Sequence, residues 1–271
     1  MSKLEIEARL AFANQIAKAA GRRTLKYFQS NLYDVQKKED GSPLTIADQD
    51  AERYLRNKIQ ESYPADSIVG EEFESVEGNS PYRWILDPID GTKSFISGVP
   101  LYGTMVAVEK VAAEATTRKS VIGSVYFPGL DVGVYAAEGL GAWSFHQDKP
   151  VVKAQVSKKS RLSDSVLTTS SVDSFGAQGV GDLYRELANR VYFCRTWGDV
   201  YGYFLVATGR VEVMIDPELK IWDAAAAQPI IEEAGGKFTD WQGDERIDSG
   251  NAVGSNGLIH AKVLEILRPE K

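Results

Sequence analysis

The sequence predicts a mixed α/β or α+β fold. Short apolar runs bounded by turn residues alternate with stretches whose apolar residues recur at helical spacing. The two patterns mix throughout, with no internal repeat and no low-complexity linker. The 271 residues, 43% hydrophobic and 25% charged, suffice for one large or two small domains with a real core.

From about Leu4 to Phe28, the positions Leu4, Ile6, Leu10, Phe12, Ile16, Ala19 and Leu25 fit a helical face better than alternation. "TIAD" at 45–48 resembles a capping box with an acid in its third slot, and predicts a helix through Tyr54, Leu55 and Ile59 that ends near Pro64. "SIVG" (67–70) reads as a short strand delivering Glu71 and Glu72. "RWILD" (83–87), "GTMVAVEK" (103–110) and "VIGSVYFP" (121–128) follow as strands, and "DVGVYAAE" with "GAWSFH" predicts a hairpin around Gly139 and Gly141. A second half begins near Gln155, so the expected division is 1–150 and 151–271. There "SVLTTSS" reads as a strand, "GDLYRELANR" as a helix, and 198–209 as a helix stopped by Gly209. Residues 210–216 alternate like a strand. Residues 222–236 predict a helix ended by a glycine pair, with Pro229 as a kink.

The net charge of -7 argues against broad binding to nucleic-acid phosphates. The single cysteine, Cys194, excludes an internal disulfide and fits a cytoplasmic setting; in its apolar surroundings it is expected to pack rather than react. The N-terminal stretch carries acids and lacks the apolar centre of a signal peptide, and no window approaches the length of a membrane span.

Asp87 and Asp90 close a buried strand and are followed by Gly91 and Thr92. A solvated Asp-Gly turn explains the glycine but not the other acids placed at strand ends and helix starts: Glu71, Glu72, Asp48 and Asp223. Singly, an acid at a helix start serves the helix dipole. Together these carboxylates point to a divalent cation such as Mg²⁺. His146 and His260 lack partners at ligand spacing, which disfavours zinc. Gly91 before a helix start offers backbone N–H groups to an anion, and Thr92 adds a hydroxyl. Carboxylate-held metal beside an anion nest describes phosphate-ester chemistry.

"SPLTIADQDAE" (42–52), "GEE" (70–72), "DPIDGT" (87–92), "WDAAA" (222–226) and "EEAGG" (232–236) resemble, in order, the signature blocks of the inositol monophosphatase superfamily of Mg²⁺-dependent, Li⁺-sensitive phosphatases. The resemblance implies a layered α/β sandwich and a homodimer acting on a small phosphomonoester. It implies two to three Mg²⁺ per site: Glu71, Asp87 and the Ile89 carbonyl on the first, Asp87, Asp90 and Asp223 on the second, and Glu71 facing a weaker third. It implies that Thr92, hydrogen-bonded to Asp48, orients the attacking water, and that the N–H groups of Gly91 and Thr92 hold the phosphate. Glu72 either binds metal or supports those that do.

"R-x-W-G-D" at 195–199, with "K-x-D-G-S-P" at 38–43, resembles the histidinol-phosphate phosphatase branch; inositol-type members carry a small-residue run near 198–201. A cationic substrate favours carboxylates, which Asp199 and Asp216 could supply. Asp216 equally suits a strand-end turn, Arg195 holds phosphate or braces its loop, Trp197 packs in the core or lines the pocket, and Lys38 touches phosphate or belongs to a solvated Lys37-Lys38 pair. The alternatives are an inositol or broad sugar-phosphate phosphatase and a non-catalytic regulator. Every expected metal acid is present, which disfavours the regulator.

Overall fold

Strands that are apolar on both faces need cover on both sides, and the chain supplies it with two sheets between three helical layers. The computed structural model describes residues 3–30, 36–37, 43–111 and 118–268. Helix α1 (Lys3–Thr24) and helix α2 (Ile46–Ser62) are separated in the chain by a small antiparallel pair, β1 (Gln36–Lys37) and β2 (Pro43–Leu44). A seven-stranded sheet follows, with neighbours in chain order: β3 (Ser67–Gly70), β4 (Tyr82–Asp90), β5 (Gly103–Lys110), β6 (Ser120–Phe127), β7 (Val132–Ala137), β8 (Gly141–His146) and β9 (Val152–Lys153). Only β3 and β4 run parallel. The short helix α3 (Thr92–Ile96) leaves the end of β4.

The second sheet holds β10 (Val166–Thr168), β11 (Phe193–Arg195), β12 (Val213–Asp216), β13 (Lys237–Thr239) and β14 (Ala252–Ser255), in the order β11-β10-β12-β14-β13. Strand β10 is parallel to both neighbours, and β14 is antiparallel to both of its own. The helices of this half are α4 (Val172–Ala177), α5 (Gly181–Arg190), α6 (Asp199–Ala207), α7 (Ile221–Ala225), α8 (Ala227–Glu233) and α9 (His260–Leu267).

Strand alternation sorts the cores. Trp84 and Leu86 pack with Leu10, Ile16, Leu55 and Ile59 of α1 and α2, while Ile85 between them joins Val206 of α6, Ile230 of α8 and Met214 of β12. Leu167, Val213 and Val253 turn the other face of the second sheet to Leu187 of α5 and Val263 of α9. Each such large side chain contributes roughly 1.5–3 kcal/mol when fully buried. The result is a layered α/β sandwich. Its middle core draws on residues from both sides of position 150.

Three expectations change. Helix α1 ends at Thr24, and Leu4 and Leu25 are exposed; the buried face is Leu10, Ala13, Ile16, Ala17 and Ala20. The single helix expected over 222–236 is two, α7 and α8, broken at Ala226. Pro229 has no N–H for the carbonyl of Ala225, so the helical ladder cannot run through. The strand expected from 210 starts at Val213, because the N–H groups of Arg210 and Val211 are used by the Leu205 carbonyl at the end of α6.

Candidate active site

In an unbroken strand, residues three apart point to opposite faces. Asp87 and Asp90 share a face because the pairing of β4 with β5 slips between them: Asp87 opposes Met105 and Asp90 opposes Gly103. Pro88 sits in this bulge, where a residue without an N–H is tolerated, and its carbonyl accepts from the Thr104 hydroxyl at 2.8 Å. Gly91 follows with φ +84, a left-handed conformation that favours glycine. A Cβ there would also lie 3.0 Å from Asp199 Oδ2.

Asp48 and Asp223 come from two helix starts built alike. Each is the third residue of its helix and turns one oxygen back to an exposed donor: Thr45 N–H to Asp48 Oδ2 at 2.9 Å, and Lys220 N–H to Asp223 Oδ2 at 2.7 Å. Asp48 Oδ1 is buried and has no hydrogen-bond partner among the described residues. Glu71 follows β3 on a turn held by Glu52. The Glu52 carboxylate accepts from the Glu72 N–H at 2.8 Å and from Arg56 Nε at 2.7 Å, and packs against Gly70. Sequence reasoning missed Glu52. The signal was there, because Asp48, Glu52 and Arg56 are spaced by four along one helix.

Asp87, Asp90 and Asp223 present oxygens that all lie within 4.8 Å of one another. They line a cavity of about 300 Å³ together with Glu71, Ile89, Gly91 and Thr92. Burial first, then the charges of Glu71, Asp90 and Asp223, raises Asp87 well above the usual carboxylate range. Burial, then Asp199 and Asp223, does the same to Asp90. Burial takes Asp223 up to about 7 and Asp48 to about 6. Among the described residues, no lysine or arginine forms an ion pair with Asp87, Asp90 or Asp223. An oxygen-only set of crowded acids, with an orphaned oxygen behind it, fits a hard divalent cation.

The "WGD" block has a geometric reason. Gly198 passes so close to Ser170 that a Cβ would lie 2.0 Å from the Ser170 Cα. Asp199 then takes φ +53, sparsely populated for a residue with a Cβ, and lines the cavity. Its N–H donates to Ser170 Oγ at 2.8 Å, and the next N–H, of Val200, donates to Asp90 Oδ2. Burial raises Asp199 to about 6, against the pull of Lys93.

Other expectations are corrected. The Thr92 hydroxyl donates to the Ile89 carbonyl at 3.0 Å, and the hydrogen-bonded oxygen of Asp48 serves Thr45, so the Asp48–Thr92 pair is not formed. Asp48 itself is fully buried and is not among the residues that line the cavity. Asp216 does not line the cavity. It is buried beneath it, accepting from the Thr169 hydroxyl, the Ser170 N–H at 2.9 Å and the Tyr203 hydroxyl. Arg195 lies outside the cavity, its guanidinium on the Cys194 carbonyl and over the Phe193 ring. Trp197 is neither core nor lining, being 38% exposed. Lys38 falls outside the described residues. The cavity adds residues that the sequence reading left out: Lys93, Ser170, Tyr203, Glu218 and Lys220.

Residues 5–270 match the model of the inositol monophosphatase family. A histidinol-phosphatase of Streptomyces coelicolor is 37% identical, over 95% of this chain and 96% of its own. A histidinol-phosphatase of Chlorobaculum parvum is 39% identical, over 91% and 94%. Among solved structures, an IMPase of Thermotoga maritima superposes with a TM-score of 0.81 at 29% identity, covering 96% of both chains. With its layered sandwich and acid-lined cavity, the chain belongs to the inositol monophosphatase family.

Proposed function

We propose that this phosphomonoester hydrolase acts on L-histidinol phosphate, releasing L-histidinol and phosphate in histidine biosynthesis, with Mg²⁺ as its metal. The observation that carries the chemistry is the set of three carboxylates whose oxygens lie within 4.8 Å of one another at one end of the cavity. The substrate reading is supported by the relatives named histidinol-phosphatase.

In this reading Glu71, Asp87, Asp90, Asp223 and the Ile89 carbonyl hold the metal ions. Bound Mg²⁺ would supply charge neutralisation and a more acidic water. The Thr92 hydroxyl, its proton directed to Ile89, keeps its lone pairs for a water, and so serves as the acceptor that orients the nucleophile. Asp48, which does not line the cavity, adds its negative charge to the field at Asp87 that a cation would balance. The Gly91 and Thr92 N–H groups hold the phosphate. Residues 1–150 supply most ligands; residues 151–271 supply Asp223 and the substrate-facing block.

No helix of the described residues is long and apolar enough to cross a membrane, which is compatible with the proposed cytoplasmic location. A homodimer is supported by Tyr192 and Trp197, 70% and 38% exposed beside β11, an edge strand that lacks a neighbour on one side among the described residues.

Phosphate release from histidinol phosphate, inositol 1-phosphate and fructose 1,6-bisphosphate with Mg²⁺, side by side, tests the reading. Histidinol phosphate is expected to have the highest kcat/KM. A higher value for inositol 1-phosphate would favour the second reading, which the likeness to the Thermotoga maritima IMPase supports.

A further inference from the structure

A substrate with a cationic end needs a carboxylate that faces the cavity and is not already engaged. Asp216 is fully hydrogen-bonded beneath the floor. Asp199 packs on Gly91 among the metal-site acids, where a metal ion would claim its field. Glu218 differs from both. It is exposed, lines the cavity, and lies on the loop between β12 and α7. That loop is fixed at two points: the Leu219 N–H donates to the Gly250 carbonyl at 2.8 Å, and the Lys220 N–H donates to Asp223. Gln178 Nε2, just past α4, donates to Glu218 Oε2 at 3.1 Å. One oxygen is thereby oriented by a neutral amide rather than by a cation. Among the described residues no lysine or arginine pairs with it.

The same cavity is also lined by Lys93, Gly91 and Thr92. The lining therefore carries a cation beside the anion nest and an unpaired anion on a separate loop. That distribution matches a phosphate ester whose far end is an ammonium.

We infer that Glu218, oriented by Gln178, is the carboxylate that binds the cationic end of the substrate and sets preference for aminoalkyl phosphates. The inference rests on the proposed cationic substrate. Because Glu218 is exposed, its contribution is screened, and about a tenfold effect on kcat/KM is expected, carried mostly by KM.

The probes are 3-aminopropyl phosphate and propyl phosphate, which share the reacting group and differ in charge. The wild-type enzyme is expected to prefer the amino ester. Glu218→Gln should lower that preference ratio about tenfold, and Glu218→Asp should restore part of it. A ratio retained in Glu218→Gln, whether or not both rates fall, overturns the inference, as does a wild-type enzyme with no preference. The histidinol phosphate and inositol 1-phosphate comparison is separate. If inositol 1-phosphate wins there while the ammonium preference still depends on Glu218, the substrate reading fails and the role of Glu218 stands.

Discussion

Two groups of buried acids in the seven-stranded sheet are built on opposite principles. At one end, Asp66 accepts from Arg9, from Trp84 Nε1 at 2.9 Å and from the Ser80 hydroxyl, and Glu109 accepts from Arg118 Nε at 2.8 Å and from Arg83. Every charge there meets an opposite charge supplied by the chain. At the other end, Asp87 and Asp90 are buried 98% and 92% by the exposures of 2% and 8%, and their nearest charged neighbours are more acids. The first arrangement completes a fold. The second leaves charge for something outside the chain to balance, and that difference separates a structural carboxylate from a functional one.

The predictions attack this contrast from both ends. The largest effect is expected for Asp90→Asn. Turnover of histidinol phosphate should fall at least about a thousandfold, because an amide poorly replaces a carboxylate on a hard cation. Stability without divalent metal should equal or exceed wild type, since a repulsive charge is gone. A folded variant with near wild-type turnover at saturating Mg²⁺ would remove Asp90 from the metal site. Thr92→Ala comes next. Losing the hydroxyl proposed to orient the water should lower kcat on the order of a hundredfold with little change in KM; a rise in KM alone would make Thr92 a phosphate ligand instead.

At the satisfied end, Asp66→Asn should do the reverse of Asp90→Asn. It strands Arg9 in a mostly buried position and should cost about 3–5 kcal/mol in urea unfolding, while leaving turnover per folded molecule near wild type. Unaltered stability would show that the two groups of acids are not different in kind. The smallest effect is a pH dependence. His260 is buried between Thr239 Oγ1 and Ser255 Oγ, and burial lowers it to about 4. Its folded value lies below its unfolded one, so the neutral form is favoured in the fold. Its contribution is present above about pH 6.5 and is lost as pH falls towards 4, by up to about 3 kcal/mol. Unfolding free energies from pH 7 to 4.5 should show a shallower acid loss in His260→Asn than in wild type; equal slopes would refute the assignment.

How much of this could be read beforehand follows from how local each feature is. The capping box at Thr45–Asp48, the strand ending at Gly70 and the helix start after Gly91 are local in sequence, and they are found where expected, whereas the strand expected to end at Asp87 runs on to Asp90. The common face of Asp87 and Asp90 depends on a pairing slip against β5, which no spacing within β4 reveals. In the sequence Asp216 suits a substrate contact and a strand-end turn equally; the three hydrogen bonds that decide for a structural place come from Thr169, Ser170 and Tyr203, which only the fold brings together. Glu218 two residues later was passed over for the converse reason, since an exposed acid in a loop carries no pattern. Arg195 and Trp197 sit in the distinctive block, yet Gly198 and Asp199 are the members that the cavity geometry requires.

The central claim is that the crowded acids are completed by a divalent cation. Thermal unfolding of wild type and Asp90→Asn over a Mg²⁺ series at constant ionic strength tests it without relying on turnover. The account predicts that the wild-type Tm rises with Mg²⁺, on the order of 5 °C at a hundredfold excess over Kd, while the Asp90→Asn Tm starts no lower and rises much less. Parallel rises in the two proteins, or no rise in wild type, would contradict it.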